Sequence, residues 1–143
     1  MAELIVTQDV NAPADRVWSV LVDWDLHGEW MLLTRATGGA AVGEPIEAFT
    51  GIGRVGFLDR MTIVVWEPPH RAVVRHTGRV VRGSGAFEVR GLSPERSQVV
   101  WSEWVDLPLG ALGRAGWPLV RLLVRAGVSF SLRRLARYVE AGR

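Results

Sequence analysis

The sequence predicts an α+β domain built from one strand, two short helices, an antiparallel meander and a long C-terminal helix. Three observations carry this. LIVTQDV alternates apolar and polar residues well enough for a first strand. From Thr34 onward, short runs rich in β-branched residues are punctuated by glycines, the pattern of neighbouring antiparallel strands. Near the end of the chain, apolar residues recur at helical spacing over many turns.

Each element has a local reason. In NAPADRVWSVLVDW a proline stands near a helix start, and Val17 and Leu21 share one face. Around DLHGEWM a short second helix is predicted, with Gly28 interrupting its pattern. IEAFTG, FLDRMTIVVWE, RAVVRHTG, GAFEVRGL and SQVVWSEWVDLP are then successive strands of the meander. LPLGALGRAGW is apolar but broken by glycine, so a loop is expected, and Pro118 suits the first position of a helix that continues to about Ala141. At 1.5 Å per residue that helix is roughly 36 Å long. Trp117, Val124, Val128, Leu135 and Val139 form one stripe along it, which the sheet should cover. On the opposite face lie Leu119, Leu122, Leu123, Ala126 and Phe130, followed by Arg133, Arg134 and Arg137.

GIGRVG, residues 51 to 56, has the Gly-x-Gly-x-x-Gly spacing of a dinucleotide-binding turn. Its context argues otherwise. The following FLDRMTIVVWEPP is a strand ended by Pro68 and Pro69 rather than a helix, and no acid between Glu67 and Glu88 could take a ribose. The three glycines are therefore expected to serve a turn or bulge between two strands.

Composition narrows the function. At 143 residues and 48% apolar, the chain fits one domain over 1–143 with a real core. No cysteine is present, so neither disulfides nor thiolate metal sites arise, and three scattered histidines have no metal-ligand spacing. Neither a metal nor a cofactor is expected. All 17 basic residues are arginine, which excludes lysine Schiff-base chemistry. Charge is uneven: residues 1 to 106 hold 10 Arg against 14 acids, whereas residues 107 to 143 hold 7 Arg against Glu140 alone. Nucleic acid is not expected, because the arginines are not interleaved with exposed aromatics on a known module. MAELIVTQDV lacks a basic segment followed by a long apolar run, which predicts a cytoplasmic location.

VNAPADRVWSVLVDWDLHGEW resembles the opening motif of the SRPBCC or START-like superfamily, where Ala-Pro precedes a Val-Trp helix and an Asp leads to a Trp. WEPPHR and SLRRLARYVE are similar to that family's mid-sheet proline turn and helix end. The likeness spans nearly the whole chain, and the polyketide cyclase/dehydrase-like branch is nearest. It implies a helix-grip fold, in which a curved antiparallel sheet wraps the long C-terminal helix and leaves an apolar cavity between them. LPLGALGRAGW would then be a movable lid.

Strand parity nominates the cavity wall. In SQVVWSEWVDLP the more apolar set Val99, Trp101, Val105 and Leu107 carries Glu103 inward with it. In FLDRMTIVVWE the set Phe57, Met61, Ile63 and Val65 carries Asp59, unless a bulge reverses part of it and puts Trp66 inside. Phe87 and Val89 also point in. Parity and family position favour Trp30, Trp66 and Trp101 as wall residues over Trp24 and Trp104, and Trp117, Val124 and Val128 would face them from the helix. An inward Glu103 could orient a hydroxylated ligand or act as a base, but a place near the sheet edge or a pairing with arginine is the favoured explanation. Arg75 and His76 lie on opposite faces of one strand, so that either one of them faces the cavity or the strand is solvated on both faces; His27 and His70 fall in turns.

The leading expectation is binding or carriage of a small hydrophobic molecule: a lipid, a quinone or an aromatic polyketide-like compound. The alternative is a polyketide cyclase/dehydratase-type enzyme with Glu103, Arg75 or His76 moving protons. A third reading is a membrane- or protein-docking adaptor, with membrane or homodimer contact through Leu119, Leu122, Leu123 and Phe130; the plainer expectation is that helix one, the preceding loop or a twin subunit covers this patch.

Overall fold

The computed structural model describes residues 2–79, 81–107 and 110–142. Strand β1 (Ala2–Val10) leads into α1 (Ala14–Leu21), a single 3-10 turn (Trp24–Leu26) and α2 (His27–Trp30). Six strands follow: β2 (Thr34–Gly38), β3 (Pro45–Ile52), β4 (Val55–Glu67), β5 (Arg71–His76), β6 (Gly83–Ser93) and β7 (Arg96–Val105). The chain closes with α3 (Gly110–Glu140). All seven strands form one antiparallel sheet in the order β1-β7-β6-β5-β4-β3-β2. The sheet curls around α3, which is the helix-grip arrangement.

The glycines of GIGRVG make the β3–β4 hairpin. Gly53 has φ +61°, at the first position of a two-residue turn where glycine is favoured, and Gly51 faces Gly56 across the ladder. A Cβ on either of that pair would collide with the opposite backbone. At the other end of β4 the pairing slips between Ile63 and Val65. This bulge turns Trp66 inward, where it packs edge-on against Trp18 with ring centres 5.4 Å apart.

Two expectations about elements need correction. Thr34–Gly38 is a seventh strand; TRATG holds one small apolar residue, too little for alternation to register. Gly110 to Trp117 are helical rather than a loop, and Pro118 lies inside α3. Glycine weakens a helix by only about 1 kcal/mol, and Ala111, Leu112, Arg114 and Ala115 are strong helix formers. Pro108 and Leu109, the remainder of the expected lid, lie outside the described residues.

The core uses only half of α3. Leu132, Leu135 and Val139 are fully buried with Val17 and Leu21 of α1 and Val89 and Val99 of the sheet. The sheet therefore does not cover the predicted stripe along its whole length. Toward the N-terminus, α3 moves past the packed layer, and Arg125 donates to the Ile5 carbonyl of edge strand β1 at 3.1 Å. There the helix roofs a hollow.

Candidate functional site

The hollow has a volume of about 430 Å³. Phe57 and Met61 of β4, Phe87 of β6 and Trp101 of β7 form one wall, and Trp117, Val124 and Val128 of α3 face them. Leu32, Phe57 and Val124 line it while remaining exposed, which places its mouth among them. Phe87 meets Trp101 edge-on at 5.0 Å, and Trp30 supports Trp101 from behind at 6.5 Å.

One charged cluster interrupts this apolar lining. His76 Nδ1 lies 2.9 Å from Asp59 Oδ1, and its Nε2 lies 2.9 Å from Glu103 Oε2. A neutral imidazole has one N–H, so donation to two carboxylates requires the doubly protonated cation. Burial works against that charge, but the hydrogen bonds to Asp59 and Glu103, and then their charges, outweigh it and push the His76 pKa up to about 10. Trp101 Nε1 donates to Glu103 Oε1 at 3.0 Å, so both oxygens of Glu103 are engaged. Among the described residues, no hydrogen bond reaches the second oxygen of Asp59.

The cluster depends on a missing side chain. Strand β6 runs between β5, which carries His76, and β7, which carries Glu103. Gly85 is the β6 residue opposite Glu103, and a Cβ there would stand 2.8 Å from both carboxylate oxygens. Glycine lets the carboxylate cross the strand. Asp59 arrives from β4, two residues before Met61, which pairs with His76.

A second histidine sits in the same wall. His27 Nε2 donates to the Leu21 carbonyl at 3.0 Å, which leaves Nδ1 as a buried acceptor with no partner among the described residues. Burial pulls its pKa down to about 4, against smaller opposing contributions from the Leu21 bond and the Asp23 charge. His27 is thus neutral where His76 is charged.

Of the residues nominated from sequence, Phe57, Asp59, Met61, His76, Phe87, Trp101, Glu103, Val105, Trp117, Val124 and Val128 line the hollow. Trp30, Ile63, Val89 and Val99 are buried in the packed core, and Trp66 is wedged between Trp18 and Trp24. Arg75 is exposed on the outer face. Trp24, ranked below Trp30 and Trp66 as a wall residue, lines the cavity because the 3-10 turn aims it inward, where its Nε1 donates to the Gly39 carbonyl at 2.7 Å. Glu103 is on an interior strand and pairs with histidine, so neither the edge nor the arginine explanation holds. Sequence reasoning missed His27, which it placed in a turn, and the meeting of Asp59 with His76. Among the described residues no group of His, Asp and Glu has the arrangement of a metal site, and no helix is long and apolar enough to cross a membrane.

A sheet gripping a long helix over an apolar hollow, with one ionic cluster in its wall, defines a cavity-bearing helix-grip domain. Residues 1–140 match the family described as polyketide cyclase / dehydrase and lipid transport, and the chain belongs to that family. Among solved structures it is similar to the Zhui aromatase/cyclase of Streptomyces sp. R1128, with TM-score 0.80 and 17% identity over 97% of this chain and 93% of that one. It is also similar to a START superfamily protein of Mycobacterium smegmatis, with TM-score 0.75 and 15% identity over 99% of both chains. At these identities the likeness is one of fold. A search by sequence among curated proteins finds no match.

The two histidines give opposite pH signatures. His76 has a folded pKa raised above 6.5, so its contribution to stability is complete below 6.5 and is lost as pH rises toward about 10. His27 has a lowered pKa, so its contribution is present above 6.5 and is lost as pH falls toward about 4. In thermal melts, His76→Asn should lower the midpoint most near pH 6.5 and progressively less toward about 10. An unchanged difference across that range would contradict the assignment of His76 as a cation.

Proposed function

We propose that this protein binds and carries one small hydrophobic molecule in the hollow beneath α3, holding a polar group of it against the Asp59–His76–Glu103 cluster. The observation that carries this is an apolar cavity of about 430 Å³ whose charged groups are gathered at one place. That size lies within the usual range for small-molecule sites. Each Å² of apolar ligand surface withdrawn from water contributes about 25 cal/mol. The family description includes lipid transport, and a lipid, a quinone or an aromatic polyketide-like compound fits this reading.

A cyclase/dehydratase-type activity is the second reading. It is supported by the family description, by the aromatase/cyclase neighbour and by ionisable groups inside the cavity. Under it Asp59, with a free carboxylate oxygen, takes a proton from the substrate. Carriage is favoured because both His76 protons are committed to carboxylates and both Glu103 oxygens are occupied.

The exposed face of α3 fits a docking role. Leu119, Leu122 and Leu123 are 67%, 66% and 68% exposed, and Phe130 is 43% exposed. Helix α3 has arginine at six positions before Glu140 and no acid among them, which complements an anionic lipid surface. On the other side of the same helix are Trp117, Val124 and Val128, so docking would bring the cavity roof to the lipid.

Native mass spectrometry of gently purified protein should show a small molecule bound one-to-one, and aminoanthracene should brighten saturably on titration. Val128→Trp, which fills the hollow from the helix side, should weaken the dye by about tenfold or more. Undiminished dye binding in that variant would place the ligand elsewhere. In flotation assays the protein should rise with phosphatidylglycerol-containing vesicles and not with pure phosphatidylcholine, and the Leu119→Ser, Leu123→Ser double variant should stay behind. A dimer in solution that the same double variant dissolves, with no flotation, would assign the face to a second copy instead.

A further inference from the structure

The wall of the hollow has an electrical sign, and that sign selects among ligands. Two carboxylates and one imidazolium leave the cluster with a net charge of −1, and no arginine is among the described lining residues. The cluster's cation offers nothing to a guest, because each ring N–H already points at a carboxylate. Its unused capacity is an acceptor, the second oxygen of Asp59. Nδ1 of His27 is a second unpaired acceptor, but it is fully buried and closed to a guest, and the ring's other nitrogen is fixed by the Leu21 carbonyl. The wall's spare donors among the described residues, the Trp117 N–H and the Ser131 hydroxyl, carry no charge. The Thr34 hydroxyl donates to the Leu32 carbonyl, and Ser131 Oγ accepts from the Leu32 N–H, which leaves the Ser131 proton uncommitted.

We propose, building on the cavity-binding reading, that the site is built for apolar molecules that present a hydrogen-bond donor, an alcohol, phenol or protonated amine, and that it rejects apolar carboxylates. A donor hydroxyl satisfies Asp59 without adding charge, and an ammonium also neutralises the cluster. A carboxylate brings like charge against Asp59 and finds no free cation, so it must enter unpaired or pick up a proton.

Three probes of nearly one shape separate these cases: naphthol, naphthylmethylamine and naphthoate, titrated calorimetrically into the full chain at neutral pH. The expected order is the amine and naphthol binding at least about tenfold more tightly than naphthoate. Asp59→Asn, which removes one negative charge with little change of shape, should narrow that gap to within about threefold, mainly by improving naphthoate; Glu103→Gln provides the same test should the first variant fold poorly. Naphthoate binding as tightly as naphthol to the wild type would overturn this inference and leave the cavity reading standing. A gap untouched in both variants would also overturn it, since the cluster would not be its source. Failure of all three probes to bind would remove the cavity reading itself.

Discussion

The pair of hydrogen bonds from His76 to Asp59 and Glu103 constrains the interior more than any other polar contact. They tie β4, β5 and β7 together from the inside: β4 and β5 are already neighbours in the ladder, whereas the bond to Glu103 joins β5 to β7 across the intervening β6. Removing one partner would leave a charge buried against apolar walls, which is far more costly than never having placed it there. The register of four strands is thereby linked to a single imidazole. A slip of one residue in any of β4, β5 or β7 would send the corresponding side chain to the outer face.

The second constraint is the mismatch between the length of α3 and the depth of the packed core. Side chains from α1 and the sheet meet Leu132, Leu135 and Val139, but opposite Trp117, Val124 and Val128 they stop short. A helix that leaves the core in this way has one apolar side over a hollow and another apolar side toward the outside. The leucines of the outer face and the aromatic residues of the cavity are two consequences of the same overhang. Ligand capture and surface docking thus share one element.

Much of this was legible because strands have a period of two. Parity in SQVVWSEWVDLP sends Glu103 inward with Trp101, and it does point inward. The glycine turn at residues 51 to 56 and the bulge that turns Trp66 inside follow from equally local chemistry. Parity failed to separate Ile63, Val89 and Val99 from the true lining, because it gives a face and not a depth along that face, and Trp30, on helix α2, has no strand parity at all. The ionic cluster was out of reach for a different reason: it needs the register of β4 through β7 at once, together with a glycine whose only signal is an absent side chain. His27 and Trp24 occupy short helical turns, too brief for any period to mark their inner face. The early start of α3 was hidden by its glycines, which weaken a helix without forbidding it.

All of this turns on the protonation of one imidazole. Nitrogen-15 NMR of the histidine rings, at a pH midway between 6.5 and about 10, reads it directly. The account predicts that His76 shows two protonated ring nitrogens there while His27 shows one protonated and one bare. A single protonated nitrogen on His76 under those conditions would contradict the carboxylate clamp.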